Sequence, residues 1–179
     1  PLFNYVYPLP NYFSAILHAV NFSFIDSFKL SMFFAVIIGS IFFFLWARQF
    51  WGDLGGLVSS AFYSFSPYHL LDIYIRGSVG EVWALAFFPA FLWSITKLIK
   101  DKNLSYGPYS SIFLALIIFS HNILAFMFLF FSIIYSGFLF LTQKERISIF
   151  KLIVVFILGI GLSAIFWLPA IFEKQYVRG

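Results

Sequence analysis

The sequence predicts an all-α fold, a polytopic transmembrane helical bundle, on three observations. Only 10% of the 179 residues are charged, against about a quarter in an ordinary soluble domain. Hydrophobic residues make up 62% of the chain, Phe alone fills 28 positions, and the mean hydropathy is +0.95. Several apolar runs approach the ~20 residues a helix needs to cross a bilayer. The expected partner is therefore the lipid bilayer. The net charge of +4 is spread without a dense basic stripe, so no nucleic-acid partner is expected. With no cysteine in the chain, disulfides, thiolate metal sites and cysteine nucleophiles drop out.

The elements follow in order. Residues 1–13, "PLFNYVYPLPNYF", are too rich in proline for a long helix and suit a membrane interface, where Tyr sits at headgroup level. Residues 11–23 read as a short helix. From Phe28 to Ala47 an apolar run makes a first full span, closed by Arg48. Residues 54–67 form a second, short helix ending at Pro67, and 68–78 are a polar connection. Residues 79–99 are a third span, ending in Lys97 and Lys100. After "KDKNLSYGP", residues 108–141 are apolar except for "SHN" at 120–122, and a last span over 147–168 is expected to stop at Pro169. We read the chain as an excerpt from a longer protein and as one domain over 1–179. That domain divides into an external or interfacial segment (1–27), a bundle of about six spans (28–168) and an external segment (169–179).

Charge placement predicts the sidedness. Arg48, the Lys97/Lys100/Lys102 cluster and the Lys144/Arg146/Lys151 cluster mark cytoplasmic loops by the positive-inside rule. The residues between the last two clusters are about twice a membrane thickness long, so they go out and return, with "SHN" at the far turn. By the same parity residues 68–78, the tail after Pro169 and the proline-rich N-terminal segment lie outside. Asp72, Arg76, Glu81, His121, Asn122, Glu173 and Lys174 then share one face. The expected location is a multi-pass protein of the plasma or inner membrane.

Each of these residues carries two readings. Asp72 and Arg76, spaced i, i+4 with the acid first, suit an orienting ion pair; equally, a guanidinium suits the planar recognition of a phosphate. Gly77 and Gly80 permit close backbone approach there. Glu81, in the first turn of its span, suits the helix dipole, or else a substrate hydroxyl, a metal or a proton. His121 and Asn122 either satisfy free backbone groups at a turn or touch a substrate. Glu173 and Lys174 suit a solvated interfacial segment, and Lys174 could share a phosphate with Arg76. Three histidines without ligand spacing predict no metal site. No cofactor is expected, with a divalent metal left open. Nucleotide-binding, hydrolase-elbow and zincin motifs do not occur.

Taken together, "PLFNYVYPLPNYF", "FSPYHLLDIYIRGSVGEVWALAFFPAFLW", "SHNILAFM" and "FWLPAIFEKQYV" resemble an integral-membrane family labelled 6-pyruvoyl-tetrahydropterin synthase-related. The arrangement is also similar to the GT-C glycosyltransferases and the YfhO-like membrane proteins. That resemblance implies a sugar donor carried on polyprenyl phosphate and used at the outer face in cell-envelope glycan assembly. It also implies a catalytic acid in an external loop upstream of Pro1, leaving the catalytic residue of this chain unknown. Pterin synthase activity is not expected, because nothing here reproduces a histidine-bound zinc. The rival expectations are a transporter or flippase for a lipid-linked glycan and a non-catalytic membrane scaffold.

Overall fold

The computed structural model describes residues 6–144 and 147–172, and every regular element among them is helical. The elements are α1 (Pro8–Ala19), α2 (Phe24–Ser64), α3 (Pro67–Leu71), a π-helical turn (Asp72–Arg76), α4 (Val79–Lys100), α5 (Tyr106–Ser120), α6 (Asn122–Thr142), α7 (Ile149–Leu162) and α8 (Ala164–Phe172).

Helix α2 is a hairpin in all but name. Gly52 sits at φ 68°, ψ −175°, a conformation closed to residues with a Cβ. The arm 53–64 turns back there along 24–51. Ser60 Oγ donates to Ser40 O at 2.7 Å, Ser40 and Ser64 share a hydrogen bond at 2.6 Å, and the Tyr63 ring stacks on Phe43. An Arg48–Asp53 ion pair at 2.9 Å closes the turn. The sequence places this reversal in the same stretch, after Arg48.

Helix α4 is the centre of the bundle. It packs against α2, α5 and α6, and Val82, Trp83, Phe91, Ile95 and Ile99 are buried. Its buried side-chain polar atoms are satisfied by neighbours, as a low-dielectric core demands. Trp83 Nε1 donates to Ser31 Oγ of α2 at 2.9 Å. Tyr135 of α6 bonds Thr96 at 2.7 Å and accepts from Trp46 Nε1 at 2.8 Å, tying three helices together. Large side chains such as Phe62, Phe126 and Ile165 point outward, the expected face of a bundle toward lipid.

Pro89 interrupts α4 without breaking it. Proline has no N–H, so the carbonyl of Leu85 loses its helical partner. Tyr63 supplies the substitute, its hydroxyl donating to Leu85 O at 2.6 Å. Tyr63→Phe strands that buried carbonyl and should lower stability by about 1–3 kcal/mol. The thermal unfolding midpoint of the full protein in detergent reads this directly; an unchanged midpoint would show that the carbonyl finds another donor.

Three helices are long and apolar enough to cross a bilayer, in the runs Phe24–Arg76, Val79–Lys100 and Asn122–Thr142. The pair α7 and α8, bent by 65°, makes a fourth if counted as one span. The loop charges predict about six, and the difference lies in short helices. The 53–64 arm reaches only about 18 Å and α5, with 15 residues, about 22 Å, against a hydrocarbon core of ~30 Å.

Other boundaries also move. α1 starts at Pro8, because Pro8 and Pro10 fall in its first turn, where no helical N–H is lost. It packs on α2, α4 and α5 through contacts such as Phe13 against Trp83, and α2 begins at Phe24 rather than Phe28. Pro169 does not end the last span. It lies inside α8, and the chain breaks earlier, at Ser163, between α7 and α8. There Ser163 Oγ and Trp167 Nε1 each approach Ile160 O at 2.9 Å, occupying the acceptor that the break leaves free.

Candidate functional site

The site begins with Pro67, which opens α3 at a position where proline costs no hydrogen bond. His69 holds that short helix to α2. Its Nδ1 lies 2.8 Å from Tyr63 O, an acceptor only, so Nδ1 carries the proton. The chain then widens into the π turn Asp72–Arg76 and stops at Gly77, in the left-handed conformation at φ 60°. The Ser78 N–H closes the turn on Asp72 O at 3.0 Å. π turns are rare and frequent at functional sites.

This turn brings three charges into one cluster at the head of α4. Arg76 Nη1 donates to Asp72 Oδ1 at 2.8 Å and to Glu81 Oε2 at 2.8 Å, while Nη2 bonds Glu81 Oε1. The Tyr68 hydroxyl donates to Glu81 Oε2, and Ser78 Oγ to Glu81 Oε1 at 3.0 Å. The Asp72 side chain is wholly buried and that of Glu81 is 6% exposed, whereas the Arg76 side chain is 43% exposed. Glu81 thus fills the guanidinium fork that the sequence offers to a phosphate. Arg76 keeps two of its five N–H groups, Nε and the second on Nη2, without partners among the described residues. Asp72 Oδ2 is buried with no hydrogen-bond partner among them. The trio carries one net negative charge.

The turn between α5 and α6 completes the cluster. Gly80 lets α4 touch it, since a Cβ there would stand 2.7 Å from Ser120 O and 2.9 Å from the Tyr7 ring. The close approach that the sequence predicts at Gly80 is therefore to backbone. His121 caps α6, its Nδ1 accepting from the Leu124 N–H at 3.3 Å. That fixes the proton on Nε2, which faces Glu81 Oε1 at 3.8 Å. The Tyr7 ring packs on the imidazole with centroids 4.6 Å apart. Burial lowers the His121 pKa and the Arg76 charge adds to this, while Glu81 opposes them. The Tyr7 hydroxyl is pushed up, first by burial and then by the Glu81 charge.

A pH dependence follows from the lowered imidazole. In the unfolded chain His121 takes its proton near the ordinary value of about 6.5; in the fold it resists. Its contribution to stability is intact above that value and is lost as pH falls through the folded-state pKa. His121→Asn keeps a competent cap and removes the titration. The wild-type melting midpoint should fall more steeply than the variant's below about pH 6.5, and parallel curves would contradict the assignment.

Among the described residues no three His, Cys, Asp or Glu side chains converge to hold a metal ion. The chain matches the 6-pyruvoyl-tetrahydropterin synthase related domain, a membrane protein family, over residues 3–178. It belongs to that family. No curated protein and no solved structure matches it.

Of the site residues expected in this family member, the structure gathers Asp72, Arg76, Glu81 and His121. Asn122 starts α6 but lines a separate apolar groove with Ala125, Trp167 and Ile171. Glu173 and Lys174 lie outside the described residues. The sequence reading missed Tyr68, Ser78 and Tyr7. A signal existed for Ser78, because "SVGE" has the Ser-x-x-Glu spacing of a capping box. Here the pair is used differently, with the Ser78 hydroxyl bonding the Glu81 carboxylate. Nothing local marks Tyr7, which reaches the cluster only through the packing of α1.

An apolar groove of about 490 Å³ runs along α1, lined by Pro8, Leu9, Tyr12, Phe13 and Ile16 of α1, Phe119 of α5 and Ile165 of α8. Pro8 and Phe119 of its lining adjoin Tyr7 and Ser120 in sequence, the two residues that crowd Gly80 at the head of α4.

Proposed function

We propose that this family member is a membrane glycosyltransferase-like protein, GT-C-like in arrangement. It would handle a polyprenyl-phosphate-linked sugar at the outer face of a plasma or inner membrane, in cell-envelope glycan assembly. One observation carries this reading: the head of α4 holds a partly exposed guanidinium, and an apolar groove begins at Pro8 and Phe119, the chain neighbours of the Tyr7 and Ser120 that crowd Gly80. A lipid phosphate has the same two parts, one charged and one apolar. The exposed edge of Arg76 would take phosphate oxygens, with Asp72 and Glu81 fixing the plane of the guanidinium. The Nε2–H of His121 and the Tyr68 hydroxyl would face the sugar or its acceptor. Because Arg76 stands against two carboxylates, a second cation is needed on the phosphate, and Lys174 or a divalent ion fits that need.

Titrating the full-length protein with farnesyl phosphate and with farnesol tests this. The phosphate should bind at least ten times more tightly, about 1.4 kcal/mol, and Ile16→Trp in the groove should weaken both ligands. Equal binding of the two would contradict the reading.

A scaffold reading is favoured by a different observation, that Glu81 already fills the Arg76 fork. In it the charges only fasten the π turn to α4. Substitutions at Arg76 would then lower stability and leave ligand binding untouched in the molecules that remain folded.

A further inference from the structure

At the opposite end of α4, 16 residues or about 24 Å from Glu81 at ~1.5 Å per residue, lies a second polar site. A groove of about 410 Å³ is lined by Leu45, Arg48 and Gln49 of α2 and by Trp93 and Lys97 of α4. Two cations from neighbouring helices thus open onto one space. Their carboxylate partners hold them loosely. Asp53, paired with Arg48 at 2.9 Å, is 76% exposed, and Asp101, paired with Lys97 at 2.8 Å, is 49% exposed. Exposed pairs of this kind contribute little and exchange readily. The indole N–H of Trp93 has no hydrogen-bond partner among the described residues, and its ring lies edge-on to Tyr106 with centroids 5.2 Å apart. Such an aromatic pair suits a membrane interface.

We infer that this groove binds the headgroup of an anionic phospholipid. Arg48 and Lys97 match its phosphate, and the Trp93 N–H matches a glycerol or ester oxygen. The surroundings favour a lipid over a soluble anion. Trp51 and Leu54, at the nearby turn of α2, are exposed apolar surface along which acyl chains would lie. Basic pockets between membrane helices commonly select acidic headgroups. The site is distinct from the Arg76 cluster, and its occupancy does not depend on what that cluster does.

Native mass spectrometry of the full-length protein, released from detergent with phosphatidylglycerol or phosphatidylcholine of identical chains, tests the inference. Wild type should retain phosphatidylglycerol at least fivefold better. Arg48→Gln/Lys97→Gln should reduce that preference below twofold, and each single variant should fall between. Lys144→Gln, an exposed lysine that does not line the groove, should leave it unchanged. Inorganic phosphate at millimolar concentration should not displace the lipid. No headgroup preference in wild type, a preference undiminished in the folded double variant or in both folded single variants, or displacement by free phosphate would each overturn the assignment.

Discussion

Arg76→Ala should lower the melting midpoint and weaken polyprenyl-phosphate binding at least tenfold. The stability loss follows from what the guanidinium holds. It bonds Asp72, whose side chain is wholly buried, and both oxygens of Glu81. Removing it leaves two carboxylates facing each other in a site with little water, and desolvated charge without a partner is costly. Arg76→Lys should recover only part of the midpoint, since an ammonium is a point charge without the planar fork. Asp72→Asn/Arg76→Gln/Glu81→Gln separates charge imbalance from packing. Without the imbalance it should melt above Arg76→Ala, yet bind no better. If Arg76→Ala folds with an unchanged midpoint, the cluster does not hold the π turn.

Gly80→Ala should be nearly as damaging, through geometry rather than charge. Its Cβ would meet the backbone oxygen of Ser120 at 2.7 Å. Backbone cannot swing aside as a side-chain tip can, so α4 and α5 must part. Overpacking of this kind costs about 1–3 kcal/mol. Separation would also let water reach His121, removing the burial that lowers its pKa, and so flatten the acid limb of the stability profile. Gly77→Ala provides the comparison. Nothing lies within 4 Å of its Cβ, so its penalty comes from the positive φ alone, and the imidazole contact should survive. A Gly80→Ala protein that melts like wild type would mean that the two helix ends are not in tight contact.

The convergence of Asp72, Arg76, Glu81 and His121 is legible in the sequence because polar residues in so apolar a chain fall at helix ends. Counting crossings between basic loops places those ends together. The pairing within the cluster is not legible. That Glu81 rather than a ligand occupies the Arg76 fork depends on the π turn, and a π turn leaves no composition signal. Pro89 and Pro169 show the same limit. Pro89 lies inside the span read over 79–99, and the tyrosine from another helix that lets it stay there leaves no local signal; Pro169 reads as the stop of the last span, yet it is carried inside α8 after an earlier break at Ser163. Span count suffers from a related ambiguity. The 53–64 arm has the apolar character of a span but, folded against α2, lacks the length of one.

The proposal rests on the head of α4 facing the outside while its lysine-rich end faces the cytoplasm. This chain contains no cysteine, so single replacements at Ser78, Asn122 and Asn103 can be labelled in intact cells with a membrane-impermeant maleimide. The account predicts that Ser78→Cys and Asn122→Cys react from outside, and that Asn103→Cys reacts only after the membrane is opened. Labelling of Asn103→Cys from the same side as Ser78→Cys would contradict it.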